Sequence, residues 1–308
     1  MKQYHHGWYF VAFAHELTQP ITPLNIGQNR LMLVKDAEGV QAYNADCPHR
    51  GAHLAYGGEL DGNCVVCPFH HYKVGLGEES SHGFRTRRYA TRVVGGLVLV
   101  RLSDAFDFGV PDFLETLHER HHFVPAFTRQ LKAPGELIIE NGFDNAHFRP
   151  VHRVSAGNFD AHRTAAGNLQ VNSQFLVTIQ IPMGGKMVAK RNEVPLDLNA
   201  FSPCFSIAQI GGQLPYVLIT GATPNPDGTT SLRLALGMSR KVYGDPPKQR
   251  WVDHFIASSL AGINDDAAIW EHMSLDAPQQ FTAQDKAIEA FQSFCQPFYE
   301  AEHEAVSL

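Results

Sequence analysis

Two short segments, each with one cysteine and one histidine, restrict the possible fold of this chain more than any other feature. Cys47-x-His49 is followed, after seventeen residues, by Cys67-x-x-His70, and a proline comes directly after each cysteine. Two thiolates and two imidazoles on tight loops can meet at one end of a small β domain. Two centres fit such a donor set: a structural zinc ion, or a [2Fe–2S] cluster with both cysteines on one iron and both histidines on the other.

The remaining cysteines bear on the choice between these two centres. Cys64 forms a C-x-x-C pair with Cys67, which favours zinc, whereas for a cluster Cys64 would be a bystander. Cys204 and Cys295 stand alone in the sequence and are interpreted as small buried hydrophobic residues. Disulfides are not expected in a cytoplasmic chain of this size, so metal binding best explains the crowding of the other three.

Charge and hydropathy exclude several classes of function. The chain has 308 residues and a formal net charge of −6, from 25 basic and 31 acidic side chains, without a basic block. This distribution argues against a nucleic-acid partner. The longest apolar run, Val93–Val100, is too short to span a bilayer, and residues 1–6 lack the apolar stretch of a signal peptide. We therefore expect a cytoplasmic protein without a membrane span.

The first part of the chain has the pattern of a small β domain. Short β-rich runs occur at Tyr9–Ala12, Arg30–Val34 and Leu97–Arg101, and they are bounded by Gly, Asn and Asp. Glycine is dense between them, which indicates tight turns. The character changes near Ser103–Phe106, so we place a first, all-β domain at residues 1–105.

Residues 106–308 are predicted to form a second domain of the α+β class. Alternating segments at Tyr216–Thr220 and Ser231–Leu236 flank the turn Pro224–Gly228, which predicts an antiparallel hairpin. Two helices are predicted near the end of the chain, at about Pro247–Met273 and Thr282–Glu304. The expected architecture is an antiparallel sheet with helices packed against it.

A second group of possible metal ligands lies at Asp144, His147 and His152. If this segment is helical, Asp144 and His147 share a face, whereas His147 and His152 do not. Pro150 would distort the helix and allow the second imidazole to swing back. Two histidines and one carboxylate make the facial triad of non-haem Fe(II) oxygenases. The alternative is a polar helix surface.

The carboxylate of such a triad would come from the late helix, where Asp265 and Asp266 are adjacent. Successive helical residues point about 100° apart, so only one of them can face a given site. The alternative is again a solvated helix face that carries both aspartates.

Both groups of residues resemble the motifs of one family, the Rieske non-haem iron oxygenases. The two Cys/His segments are similar to the Rieske fingerprint, and the segment 140–152 is similar to the mononuclear-iron motif, most of all in the branch of steroid ring hydroxylases and cholesterol desaturases. The resemblance covers nearly the whole chain. It implies a Rieske [2Fe–2S] domain followed by a helix-grip-like catalytic domain.

The resemblance also implies a role for each residue. The cluster ligands would be Cys47, His49, Cys67 and His70. The mononuclear Fe(II) ligands would be His147, His152 and Asp266, since the family's aspartate commonly precedes an apolar pair such as Ile-Trp. Asp144 would be a catalytic residue that links a cluster histidine of one subunit to an iron-binding histidine of the next.

Departures from other Rieske proteins indicate the type of cluster. Ala52 and Phe69 stand where respiratory members have a disulfide, and Tyr72 and Val74 stand where those members have hydrogen-bond donors. Fewer donors to the sulfurs favour a low potential within the Rieske range. The oxygenase loop usually continues His-Gly-Trp, but here the second ligand is followed by His71.

The implied function is that of a terminal oxygenase component. It would take electrons, ultimately from NAD(P)H, through a separate reductase or ferredoxin, because the chain has no dinucleotide-binding glycine motif. With O2 as co-substrate it would hydroxylate, demethylate or desaturate an apolar aromatic, polycyclic or steroid-like molecule. Family members of this type form head-to-tail homotrimers. The alternative is a Rieske electron carrier without oxygenase chemistry.

Overall fold

The computed structural model describes residues 6–183 and 186–299 of the chain. Within that part, short strands dominate the first hundred residues, as the alternating runs between glycines predict. They are β1 Trp8–Phe13, β2 Ile21–Ile26, β3 Asn29–Asp36, β4 Gly39–Asn44, β5 Glu59–Asp61, β6 Cys64–Val66, β7 Lys73–Leu76, β8 Phe84–Thr86, β9 Arg88–Val94 and β10 Leu97–Arg101.

These strands form two sheets. One has the order β1-β10-β9-β4-β3-β2, and the other has the order β5-β6-β7-β8. The turn at Cys47–Arg50 follows β4, and the turn at Cys67–His70 follows β6. The proline after each cysteine suits such a turn because its φ is fixed. The two Cys/His loops thus extend from different sheets of the same β domain.

A larger antiparallel sheet occupies the second part of the chain. Its order is β11-β18-β17-β16-β15-β14-β12, and β13 pairs with β14 outside that path. The predicted hairpin is confirmed as the pair β17–β18, which begins at Tyr216↔Met238 and ends at Pro224↔Thr230. The strands are β11 His121–Leu131, β12 Ser155–Ala156, β13 Asp160–Arg163, β14 Leu169–Met183, β15 Lys186–Ser202, β16 Phe205–Ile210, β17 Tyr216–Pro224 and β18 Thr230–Ser239.

Six α-helices accompany this sheet within the described residues. They are α1 Val110–Arg120, α2 Gly135–Glu140, α3 Phe148–His152, α4 Arg240–Tyr243, α5 Gln249–Trp270 and α6 Lys286–Cys295. The predicted α+β class is therefore confirmed. The last helix starts four residues later than predicted, and the part of its predicted range beyond residue 299 lies outside the described residues. No helix in the described part of the chain combines the length and the apolar character needed to cross a lipid bilayer.

The large sheet has a core on each face. On one face, leucines of β15 pack with phenylalanines of α6, including Phe291 and Phe294. On the other face, Trp8 and Phe10 of β1 pack with Phe205 of β16. Gly221 permits this close approach, because a Cβ at that position would lie 2.6 Å from Phe10 Cβ. The first domain is thereby packed directly on the sheet of the second.

The second metal motif does not form the helix that would place Asp144 and His147 on one face. Helix α2 ends at Glu140, a 3-10 turn covers Asn141–Phe143, and Asp144 is extended, with φ −87° and ψ 99°. The Asp144 carboxylate accepts the backbone N–H of Ala146 at 2.8 Å and that of His147 at 3.3 Å. An aspartate that bonds nearby backbone amides in this way competes with helical hydrogen bonding, so a turn follows it and α3 begins only at Phe148.

Candidate metal centres

The structure brings the four predicted cluster ligands together at the end of the first domain. Cys47 and Cys67 are buried, at 2% and 1% exposure, and their thiols share a hydrogen bond. His49 and His70 are exposed, and their ring centroids lie 4.7 Å apart. Two buried sulfurs beneath two exposed imidazoles fit a [2Fe–2S] cluster whose histidine-bound iron faces outward.

The two loops that carry these residues have the same backbone pattern. Gly51 N–H donates to Cys47 O at 2.8 Å, and His71 N–H donates to Cys67 O at 3.0 Å. Gly51 and His71 also share a left-handed conformation, with φ of 71° and 57°. Glycine adopts this conformation freely, whereas histidine is strained in it. The unusual His71 of the sequence therefore occupies a position that requires a glycine-like backbone.

Backbone donors already point at one of the buried sulfurs. Burial raises the pKa of the Cys47 thiol, while the backbone N–H groups of His49 and Arg50 act in the opposite direction. A bound cation would overcome the effect of burial and hold the thiolate. The Cys64 thiol instead donates to the carbonyl oxygen of Asp61 at 3.0 Å. This contact agrees with the bystander role for Cys64 rather than with a zinc site.

Aromatic rings surround the exposed imidazoles. The ring of Tyr72 lies 5.0 Å from that of His49, and the ring of Phe69 lies 3.8 Å from that of His70. Phe84 of β8 adds a third ring, 5.9 Å from His49. Phe84 could not be selected from the motif, because it comes from a strand that the motif does not include.

The second group assembles from two distant parts of the chain. His152 Nε2 lies 3.1 Å from Asp266 Oδ1, and His147 Nε2 lies 4.0 Å from the same oxygen. One ligand atom from each residue lies within 4.8 Å of the others. Asp266 on α5 is 6% exposed, whereas its neighbour Asp265 is on the exposed side of that helix. Of the two aspartates, Asp266 is thus the one that faces the histidines.

The break in the helix sets the orientation of His147. Its Nδ1 lies 2.6 Å from the backbone carbonyl oxygen of Asp144, so Nδ1–H donates there and Nε2 faces Asp266. The Asp144 carboxylate does not accept this bond, because it lies 3.8 Å from Nδ1 and instead accepts the backbone N–H groups of Ala146 and His147.

Sequence reasoning missed one residue of this group, Asn141. Its Nδ2 lies 3.2 Å from His147 Nε2, and its side chain also hydrogen-bonds the Asp266 carboxylate. An amide is not a usual ligand of iron, so the motif alone gave no reason to select it. The 3-10 turn that precedes Asp144 places it there.

The electrostatics of the triad suit a bound divalent cation. Burial raises the pKa of Asp266, opposed by His152 and His147, and burial lowers the pKa of His147. Without a cation, burial therefore favours the neutral forms of Asp266 and His147. Neutral imidazoles and a carboxylate, with one face of the centre open, are the donors of a mononuclear non-haem Fe(II) site.

Apolar rings enclose one side of the triad. The Phe148 ring lies 4.2 Å from that of His147 and 5.9 Å from that of His152, and Phe175 packs on Phe148 at 5.0 Å. A cleft of about 790 Å³ lies elsewhere, between α2, α6 and the loop at 275–279, and none of the triad residues lines it. The donor atoms, and not this cleft, therefore locate the candidate chemistry.

Two family models match this chain, and each covers the part that carries one of the two candidate metal centres. Residues 7–81 match the model of the Rieske [2Fe-2S] domain. Residues 103–299, well over half of the chain, match the model of the 3-ketosteroid 9alpha-hydroxylase C-terminal domain.

Two of the similar proteins are named for reactions of a sterol or a steroid. The oxygenase component of 3-ketosteroid-9-alpha-monooxygenase from Mycolicibacterium smegmatis is 23% identical over 90% of this chain and 77% of its own length. Cholesterol 7-desaturase nvd from Drosophila melanogaster is 24% identical over 49% of this chain. That match spans only 38% of the desaturase.

Solved structures share the fold at low sequence identity. Pseudomonas putida CBB5 NdmA with caffeine, as a QL mutant, has a TM-score of 0.70 at 18% identity, covering 94% of this chain and 89% of that one. The oxygenase in the fluorene-bound ferredoxin complex of carbazole 1,9a-dioxygenase has a TM-score of 0.72 at 16% identity, covering 95% and 90%. Dicamba monooxygenase has a TM-score of 0.69 at 16% identity, covering 96% and 97%.

The two adjacent aspartates provide a test of the triad. Asp266→Ala should abolish mononuclear iron while the visible spectrum of the cluster is unchanged, because it removes the only carboxylate that faces the two imidazoles among the described residues. Asp265→Ala, its matched control on the exposed side of α5, should keep both metals. Metal analysis of the purified variants measures this, and loss of iron in the Asp265 variant alone would transfer the role to that residue.

The shared backbone pattern of the two loops predicts a stability difference. His71→Gly should raise the free energy of unfolding by about 1 kcal/mol, because glycine adopts the left-handed conformation without strain. Gly51→Ala is the matched change in the other loop, where a Cβ would meet no atom within 4 Å, and it should lower stability by a similar amount. Urea unfolding of the loaded protein gives both values, and a destabilised His71→Gly protein would contradict the argument.

Proposed function

This chain belongs to the Rieske non-haem iron oxygenases, and on that premise we propose that it is a terminal oxygenase component acting on an apolar aromatic, polycyclic or steroid-like substrate. The family consists of oxidoreductases, with a Rieske [2Fe–2S] cluster and a mononuclear iron as cofactors. The observation that carries the proposal is the convergence of His147, His152 and Asp266 in a domain that follows a Rieske domain.

The donor geometry supports one assignment of residues to each metal. We assign the cluster to a domain spanning residues 1–105 and the mononuclear iron to a domain spanning residues 106–308. The cluster would be held by Cys47, His49, Cys67 and His70. The iron would be held by His147, His152 and Asp266.

When bound, the cluster delivers single electrons and the mononuclear iron activates O2. The surrounding residues keep the ligand atoms in place. The Asp144 carbonyl holds the proton on His147 Nδ1, so that Nε2 remains available as a ligand atom. The Asn141 amide hydrogen-bonds Asp266 and limits its rotation. The half-buried Phe148 and Phe175 exclude water from one side of the site.

Electrons would reach the cluster from another protein. No glycine motif for a dinucleotide is present in the sequence, so NAD(P)H would act through a reductase or a ferredoxin. The carbazole dioxygenase neighbour has been solved as a complex of its oxygenase with ferredoxin. The exposed rings of His49 and His70 offer a short path into the cluster from such a donor.

We further propose a head-to-tail homotrimer in which Asp144 connects copies. The exposed histidines of one cluster would dock beside Asp144 of the next copy, and the link would run from His70 or His49 to His147 or His152. The Asp144 side chain is 27% exposed and lies one short turn from His147, which supports this position.

The aromatic surroundings of the triad support an apolar substrate. Phe148, Phe175 and Ile263 are partly buried hydrophobic residues at the edge of the core that includes α5. The relatives named above act on cholesterol and on 3-ketosteroids, and the neighbours bind caffeine, fluorene and dicamba. Substrate-dependent O2 uptake, measured with a ferredoxin and its reductase, tests the proposal across sterols, 3-ketosteroids and fused aromatics. Uptake with none of these classes would contradict it.

A Rieske electron carrier without oxygenase chemistry is the alternative. It would explain the first domain alone. The match of residues 103–299 to a hydroxylase domain and the geometry of the triad do not favour it.

The Asp144→Asn variant tests the bridging role. Asparagine can still accept the Ala146 backbone N–H through its side-chain oxygen, and the carbonyl that orients His147 is unchanged, so both metals and the oligomer should be retained. Turnover should fall by at least about tenfold, as when a hydrogen-bonding partner of a ligating histidine is lost, because the amide cannot accept from both histidines as the proposed carboxylate bridge would. In single turnover, oxidation of a pre-reduced cluster should slow to the same extent.

The same variant can also refute the bridging role. Turnover at the wild-type rate would show that the carboxylate is not needed between the two centres. Loss of mononuclear iron would show instead that Asp144 acts on the structure of the site.

A further inference from the structure

A two-stranded ribbon extends beyond the large sheet. Strands β14 and β15 pair with each other from Leu169↔Ala200 to Met183↔Lys186. Strand β16 pairs with β15 only at positions 196–202, and β12 and β13 pair with β14 only up to residue 176. Within the described residues, positions 177–183 and 186–194 therefore form a ribbon whose outer edges pair with no further strand. We call this ribbon the arm.

The arm has the character of a surface that another molecule covers. A two-stranded ribbon alone is marginally stable in water, and open strand edges favour association. Met187 is 62% exposed and Val188 is 38% exposed. The sequence from Val177 to Asn192 has no acidic residue and three basic ones, Lys186, Lys190 and Arg191. A surface complementary to the arm is therefore acidic and partly apolar.

Such a surface lies elsewhere on the same chain. The cleft of about 790 Å³ between α2 and α6 is lined by three acidic residues and one basic residue, Glu136, Glu140, Asp276 and Lys132. Every residue from 271 to 284, the segment that follows α5, is exposed. This segment carries three exposed apolar side chains, Met273, Leu275 and Phe281. We call the cleft together with this segment the acidic cleft.

The tip of the first domain does not fit the arm equally well. Phe69 and Tyr72 beside the proposed cluster are exposed apolar side chains as well. The Arg50 guanidinium lies over the Phe69 ring, 5.8 Å from its centroid. This tip therefore presents a positive charge to a basic arm, whereas the acidic cleft presents carboxylates.

The proposed ring of copies places the arm and the acidic cleft near one contact. The arm starts next to Phe175 in the aromatic wall of the triad, where the cluster of another copy would dock. The acidic cleft of that other copy includes Gln28. Arg30, two residues later, forms an ion pair of 2.7 Å with Asp46, which directly precedes Cys47. Each surface thus adjoins one of the two centres that the ring brings together.

We propose that the arm of one copy docks in the acidic cleft of the next copy. Lys190 and Arg191 meet the carboxylates of the cleft, and Met187 packs on Leu275. The contact joins two different surfaces, and such contacts close into a ring when they repeat around an axis. This inference rests on the proposed head-to-tail homotrimer and adds the surfaces through which its copies hold each other.

Charge reversal on each surface tests the contact in the full-length protein with its metals. One variant reverses the arm, Lys190→Glu with Arg191→Glu, and one reverses the cleft, Asp276→Lys with Gln279→Lys. A third variant combines all four changes. The control, Lys241→Glu with Lys248→Glu, makes the same change of charge on exposed residues elsewhere. Sedimentation velocity over a range of protein concentrations gives the dissociation constant of the trimer.

The proposal predicts weakening and rescue. Each reversed surface alone should raise the dissociation constant about tenfold or more, because like charges then lie opposite each other. The combined variant should return to within about threefold of the wild type, since the two surfaces are again complementary. The control should stay within about twofold, as expected for isolated surface charges.

Three results would overturn the proposal. The first is a dissociation constant that arm reversal leaves unchanged, and the second is weakening by both reversals without rescue in the combined variant. The third is an unchanged trimer whose arm-reversed form has a higher KM for ferredoxin, which would make the electron donor the partner of the arm. All three leave the oxygenase assignment and the trimer intact. A wild-type protein that turns over as a monomer would instead refute the homotrimer itself.

Discussion

The burial of Asp266 between two imidazoles is the interaction on which the rest of the structure depends. A carboxylate that is 6% exposed has lost most of its hydration, and such a loss is costly unless hydrogen bonds or a cation compensate it. Asn141 supplies one hydrogen bond, and the two histidines supply partners that can be shared with a metal. The large sheet and α5 hold Asp266 against the segment from Asn141 to His152, which lies 114–125 positions earlier in the chain.

The two centres differ in how far they are open to other molecules. The imidazoles of the first centre are exposed above buried sulfurs, whereas the triad is half-buried behind aromatic rings. An exposed cluster suits exchange of electrons with another protein, and a sheltered iron suits an apolar substrate. The non-helical Asp144 acts twice at the second centre, because its carbonyl orients His147 and its carboxylate accepts the Ala146 N–H in the turn that leads to α3.

The ligand sets could be selected from the sequence because each depends on local geometry. Tight loops fix the spacing of Cys47 and His49, and the two faces of one helix separate Asp266 from Asp265. The helix considered for Asp144 did not form, because its carboxylate bonds the backbone N–H groups of Ala146 and His147, which residue spacing does not reveal. Asn141 was missed for another reason: its role arises only when α5 packs against the segment that carries His147, across a distance in sequence that no motif spans.

Iron analysis combined with EPR tests the central claim, that one chain holds both a Rieske cluster and a mononuclear iron. We expect about three irons per chain, two in the cluster and one in the triad, a rhombic signal after reduction with an average g below about 2, and a nitrosyl adduct of a separate high-spin Fe(II). About two irons per chain with the same rhombic signal and no nitrosyl adduct would indicate an electron carrier. A colourless protein that contains zinc would contradict both centres.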